Sequence, residues 1–360
     1  MIKLLIGGSP CTYWSIAQKN NRETEPSGIG WELFKNYLIA KEKFNPDFFL
    51  YENNKSAAEP IKQKIREELK VWDGTFLMPN SGARYIEINS ALVSAQNRQR
   101  FYVHNCGDVQ QPKDRGILLR DILETGADLT SNKKSYTLTA SYARAVAWNT
   151  LERNQRNMVA EPVRIGDIGS TAQAHRVYSC DGKIVTINAG GGGQGGKTGL
   201  YACPIDEKKS IYEVKDGKIT IKGKQYPIKL KDGYYIIRKL TVTECCRLQT
   251  MPDDYCRAVS NAQAYKGLGN GWTAEVIIHI LNGALKDIPR DEEIVVLSMY
   301  DGIGTGRYCL DKMGFTNVKY YAYEIDKYAM QIAKSNYPDI IECGDAFQVR
   351  NDDWMLKETK

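Results

Sequence analysis

Cys11 ends the run Ile6-Gly7-Gly8-Ser9-Pro10-Cys11, which follows the apolar stretch IKLLI. A rigid loop at the carboxyl end of a strand can present a thiol in the exposed state that nucleophilic chemistry needs. Alone, Ser-Pro-Cys more often marks a packing cysteine. Two further clusters shift that balance: Glu52 in Tyr51-Glu52-Asn53-Asn54, closing the next apolar run, and Arg98 and Arg100 in Gln96-Asn97-Arg98-Gln99-Arg100. A thiol, a carboxyl group and an arginine pair on neighbouring strand ends make a nucleophilic site.

A second constellation lies near the C-terminus. Asp301-Gly302-Ile303-Gly304-Thr305-Gly306 follows the strand-like IVVLSMY. Such a turn lets backbone approach a ligand at a strand's carboxyl end. Glu324 ends the next apolar run, where a carboxylate can bind two ribose hydroxyls, and Asp345 ends the third, where it could meet an adenine amine. The glycine turn is a weak signal alone. Three successive strand ends of this kind point to an adenosyl cofactor.

The elements that must carry these residues differ in texture along the chain. Residues 1–105 show the strand, helix, strand rhythm of an α/β fold in IKLLI, WELFKNYLIAKEKF and PDFFLYE. Residues 106–237 are rich in Gly, Ser, Thr, Asn and Lys, with hairpin-like pieces such as YEVKDGKITIKGKQY, and read as a separate β-rich module. Helical patterning returns over 238–290 in TVTECCRLQTM and TAEVIIHILNGAL, and 291–360 form a βαβαβ half that binds a nucleotide. The sheet of that half must be completed by strands from elsewhere in the chain.

Composition narrows the function. The 360 residues carry a net charge of +6, and residues 106–237 alone hold 20 Lys and Arg against 14 Asp and Glu, so the β-rich module is the part suited to meet a polyanion. Nine cysteines without a CxxC pair and three scattered histidines, His104, His175 and His279, argue against a metal site and a disulfide framework. No signal peptide or long apolar span is evident, so a cytoplasmic protein with no membrane role is expected.

GGSPC, YENN, QNRQR, KLTVTECCRLQTMPDDY, LGNGW and YDGIGTG together resemble blocks of the DNA cytosine-5 methyltransferase family, over about two thirds of the chain. In that family the cofactor blocks come first; here they come last. The resemblance therefore implies a circularly permuted, Rossmann-like mixed sheet of the S-adenosylmethionine-dependent methyltransferase class, with a smaller β-rich target-recognition domain at 106–237. It further implies a monomer acting on double-stranded DNA with the base flipped out. By resemblance Cys11 adds to cytosine C6, Glu52 holds N3 and the amino group, Arg100 binds O2 and Arg98 positions the loop. The implied contacts to S-adenosylmethionine are Pro10, Leu33, Asn270, Gly271, Tyr300, Asp301, Gly302, Ile303, Gly304, Thr305, Glu324, Ile325, Asp345 and Ala346. Two departures are visible. Ile325 replaces a common aromatic at the adenine, and Asn53-Asn54 replaces a common Asn-Val, which alters the pocket floor. Tyr136 to Ala140 and Ile184 to Ala189 resemble recognition-region pieces, and glycines 190 to 196 could approach phosphates.

Three other readings compete. Gly191 to Thr198 satisfies a P-loop pattern, but GLYACPID follows where a helix must open, which argues against nucleotide hydrolysis. A transfer RNA cytosine methyltransferase would keep the fold and change the substrate. A catalytically weak DNA-binding relative would not need Cys11, Glu52, Arg98, Arg100 and Gly302 together.

Overall fold

The computed structural model describes residues 1–15, 22–71, 82–124, 128–129, 135, 137–145, 158–162, 166–167, 176–177, 211–221, 223–228, 230 and 232–351. These form two compact units. One comprises Met1–Ile117, Leu138–Ala143 and Cys245–Lys360, the other Leu118–Thr137 and Arg144–Glu244.

The first unit opens with β1 (Ile2–Gly7), α1 (Gly28–Phe44), β2 (Phe48–Asn54), α2 (Glu59–Glu68), β3 (Arg84–Asn89) and β4 (Gln99–His104). On α1, Trp31, Phe34, Tyr37, Ala40 and Phe44 are buried, a stripe at helical spacing that packs on the sheet, and Asn45 ends the helix in a left-handed conformation. On α2, Ile61 and Ile65, one turn apart, do the same.

The second unit contains β5 (Asp128–Leu129), β6 (Met158–Pro162), β7 (Gly166–Asp167), β8 (Arg176–Val177), β9 (Ile211–Lys215), β10 (Lys218–Ile221), β11 (Lys224–Pro227) and β12 (Gly233–Lys239). Six of these form an antiparallel sheet in the order β11-β10-β9-β12-β6-β5, and β7 pairs with β8. β10 alternates exposed and buried residues, so that Ile219 and Ile221 join Val214 and Tyr226 in a small core on one face.

α3 (Val242–Leu248) spans the boundary between the units, and the first unit resumes with α4 (Asn261–Asn270), α5 (Ala274–Leu285), β13 (Ile294–Met299), α6 (Thr305–Lys312), β14 (Val318–Tyr323), α7 (Lys327–Asn336) and β15 (Ile341–Gly344). Its sheet has the order β15-β14-β13-β1-β2-β4-β3. All six residues of β13 are buried, as a central parallel strand covered on both faces requires. β1 lies parallel to β13 with Ile2 opposite Ile294 and Gly7 opposite Met299. The C-terminal half thus gains its missing strands from the N-terminal part of the chain, as expected.

The observed boundaries differ from a break at 105 and 237. Residues 106–117 belong to the first unit because they are bonded to it: Arg115 N donates to Leu92 O at 2.8 Å, Gln111 Nε2 to Glu87 O at 2.7 Å, and Arg115 pairs with Glu275. Residues 138–143 belong there too, since Leu138 N donates to the buried Gln96 Oε1 at 2.7 Å. At the other end, the second unit runs on to Glu244, which caps α3 by accepting from Thr241 N.

Candidate active site

Neighbouring parallel strands end at the same edge of a sheet, so the segments after β13, β14, β15, β1 and β2 gather on one side. β4 runs antiparallel and therefore begins there, with Arg100 opposite Asn54 of β2. Two residue groups far apart in sequence meet at that edge. Cys11, Glu52, Arg98 and Arg100 line one cavity of about 500 Å³ together with Tyr300, Asp301, Gly302, Ile303, Thr305, Glu324, Ile325, Asp345 and Ala346; Pro10, Leu33, Asn270 and Gly271 also face it.

At one end of the cavity, Cys11 is partly exposed and begins a single 3-10 turn, Cys11–Tyr13, whose carbonyl accepts from Trp14 N and Ser15 N. The loop before it is tied down by Asn53, whose buried Nδ2 donates to Ser9 O at 2.9 Å and Tyr51 Oη at 3.1 Å, while Ser9 Oγ and Tyr51 Oη lie 2.7 Å apart. Glu52 is nearly buried. Arg100 Nε meets its Oε1 at 2.9 Å and Trp272 Nε1 donates to its Oε2 at 3.2 Å. Gly8 makes room for this carboxylate, since a Cβ there would stand 2.7 Å from Glu52 O and 2.9 Å from Oε2.

Arg98 has a different task. Its Nη1 donates to Leu138 O and Gly269 O at 3.2 Å, and its Nη2 to Gly271 O at 2.9 Å, so the guanidinium caps the C-terminal end of α4. Burial, reinforced by Arg100 nearby, lowers its pKa to about 10. A planar fork with several donors suits three carbonyls that a single ammonium could not span.

A second part of the cavity wall is built by the glycine turn. Tyr300, Gly302 and Gly304 all adopt positive φ, at 61°, 66° and 77°, which folds the chain back before α6 begins at Thr305. A Cβ at Gly302 would meet nothing within 4 Å, so this backbone faces open space and can receive a ligand. Glu324 braces the turn: its Oε2 accepts from Gly302 N and its Oε1 from Ile325 N and Asp326 N, each at 2.8 Å. Tyr300 Oη donates to Leu33 O at 2.7 Å. An adenosyl group fits this wall, with open backbone at Gly302 and carboxylates at Glu324 and Asp345.

Three expected details differ. The Asp301 carboxylate turns into the core, where its Oδ1 accepts from Ser298 Oγ at 2.7 Å and Tyr320 Oη at 2.6 Å, and burial raises its pKa to about 6. Gly304 is absent from the cavity wall and serves packing: a Cβ there would stand 3.1 Å from Ala333 Cβ of α7. Asn54 is no part of the pocket floor, because its Oδ1 accepts from Ser56 N at 3.2 Å to close a turn. The pieces at 184–189, 190–196 and 191–198, and Tyr136, lie outside the described residues.

Trp272 and Phe347 line the same cavity and were missed. The first stands in LGNGW beside the Asn270 and Gly271 singled out above, and only its contact across 220 positions gives it meaning. Among the described residues no group of His, Cys, Asp or Glu could hold a metal ion, and no helix is long and apolar enough to cross a membrane.

The model of the family described as C-5 cytosine-specific DNA methylase matches residues 1–286. This chain belongs to that family. The methyltransferase is 24% identical over 294 residues to the type II methyltransferase M.HhaI of Haemophilus parahaemolyticus, covering 77% of this chain and 74% of that protein. It is 26% identical over 281 residues to M.HpaII of Haemophilus parainfluenzae, covering 74% and 67%, and 25% identical over 300 residues to M.MthTI of Methanothermobacter thermautotrophicus, covering 79% and 78%. The methyltransferase thus acts on C5 of cytosine in DNA with S-adenosylmethionine as methyl donor, and the transfer RNA reading is not favoured. The family match stops before β13, so the glycine turn lies outside it.

Proposed function

We propose that this DNA cytosine-5 methyltransferase works through a covalent adduct at Cys11. The supporting observation is that Cys11, Glu52 and Arg100 share one cavity with the Gly302 turn. Cytosine C5 is too poor a nucleophile to take a methyl group unaided. Addition of the Cys11 thiolate to C6, with a proton delivered to N3 from Glu52, converts the C5–C6 double bond into an electron-rich enamine. Arg100 holds the base at O2 and balances charge at Glu52. Gly302, Glu324 and Asp345 would hold S-adenosylmethionine, which would supply the electrophilic methyl group and leave as S-adenosylhomocysteine. Loss of the C5 proton to a base then expels the Cys11 thiolate and restores the ring. A base inside a duplex cannot reach a recessed thiol, so double-stranded DNA is engaged with the target flipped out.

The charge of residues 106–237 and the antiparallel sheet of the second unit support a role for that unit in target recognition. The order of the blocks, together with β1 lying beside β13, supports a circular permutation of the family order. A chain rewired so that residue 291 onward precedes Met1 through a Gly/Ser linker should then retain methylation.

Oligonucleotides containing 5-fluorocytosine test the adduct, because fluorine at C5 cannot leave as a proton. The wild type should form a denaturation-resistant complex and Cys11→Ser should not, while both bind S-adenosylhomocysteine. A trapped complex in Cys11→Ser would overturn the mechanism. Bisulfite sequencing of DNA from expressing cells would give the recognised site.

A further inference from the structure

Among the described residues, six large apolar side chains are exposed, and three of them, Ile29, Ile325 and Phe347, line the cavity that holds Cys11. Exposed apolar surface concentrated in a cavity marks a place where a ligand covers it. Ile325 is 71% and Phe347 39% exposed. Each stands beside a carboxylate of the same wall, Ile325 next to Glu324 and Phe347 two positions after Asp345. The matching ligand has flat apolar faces, a donor on its edge and hydroxyls attached, which describes adenosine.

Phe347 is held in place to serve this role. Its backbone N donates to Asp345 Oδ1 at 2.9 Å, which caps the 3-10 turn Ala346–Arg350 that carries the ring. The Arg350 guanidinium carbon lies 5.1 Å from the ring centroid, and Arg350 is itself fixed by Asn36 Oδ1 at 2.9 Å and Glu32 Oε2 at 3.1 Å. Asn36 also donates to Tyr300 Oη at 3.3 Å, so one bonded chain joins the ring to the glycine turn. Tyr300, the other aromatic of that chain, is secured through its hydroxyl to Leu33 O and packs on the core.

We propose that Phe347 supplies the aromatic face of the adenine site, opposed by Ile325 and braced from behind by Arg350. This rests on reading the cavity as the cofactor site. Cation stacking on one face leaves the ring's remaining surface for the purine.

Calorimetric binding of S-adenosylhomocysteine and of 5′-methylthioadenosine to the full chain tests it. Phe347→Ala should weaken both by about tenfold, since each carries the same ring and lost stacking is worth about that much. Phe347→Trp should restore both, which a merely structural defect would not allow. Unchanged affinity in Phe347→Ala, or a loss that Phe347→Trp leaves unrepaired, overturns the assignment. A wild type that binds neither compound would instead overturn the reading of the cavity itself.

Discussion

Trp272 donates its indole N–H to Glu52 Oε2 at 3.2 Å, while Arg100 Nε meets the other oxygen at 2.9 Å. The two residues of the first pair lie on opposite sides of the second unit in sequence, yet the carboxylate is clamped by donors on both oxygens. Trp272→Phe keeps the ring and deletes the donor, and a hydrogen bond to a charged group is worth about 1.5–3 kcal/mol. The methyl-transfer rate should fall by roughly ten- to a hundredfold, with S-adenosylhomocysteine affinity unchanged; radiolabelled methyl transfer and calorimetry separate the two.

Gly8→Ala should damage the same carboxylate from behind. The added methyl group would sit 2.7 Å from Glu52 O and 2.9 Å from Oε2, so Glu52 must shift. Turnover should drop by about tenfold or more, as expected when a reacting group is misplaced, and thermal stability should fall as well, because the nearest atom is the backbone carbonyl of buried β2. A variant with wild-type turnover would show that Glu52 tolerates displacement.

Arg98→Lys tests the fork that binds three carbonyls. A lysine cannot reach all of them and leaves buried acceptors unmet, at a cost of about 1–3 kcal/mol. Chemical denaturation should show that loss, and retained stability would assign Arg98 to another role.

His104 should impose a pH dependence on folding. It is fully buried, its Nδ1 accepts from Cys106 N at 3.2 Å, and its Nε2 has no hydrogen-bond partner among the described residues. Burial, with Arg84 nearby, lowers its pKa from 6.5 to about 4. Between those values the unfolded chain binds the extra proton, so this contribution is intact above pH 6.5 and lost as the pH falls toward 4, by about 3 kcal/mol in all. Asp301, raised from 3.8 to about 6, acts in the opposite sense, losing stability as the pH rises through that range. The difference in unfolding free energy between wild type and His104→Gln isolates the histidine. It should change across pH 6.5 to 4, and a flat difference would refute the assignment.

Local patterns in the chain were enough to identify the strand of IKLLI, the stripe of α1, the glycine turn and the residues Cys11, Glu52, Arg98 and Arg100, because each is written within a few consecutive positions. They also established that the C-terminal half needs strands from elsewhere. Only the tertiary structure decided which side chains face the cavity and which turn away. Asp301 and Gly304 sit in the turn as expected, but a carboxylate follows its nearest buried donors, Ser298 and Tyr320, and a glycine follows the helix packed against it. Likewise Trp272 and Phe347 acquire a role only when sheet order β15-β14-β13-β1-β2-β4-β3 brings five strand ends and the start of β4 to one edge. Sequence pattern records the period of an element. The direction of a side chain at its end depends on the partners packed around it, which lie three positions away for Asp301 and 220 for Trp272.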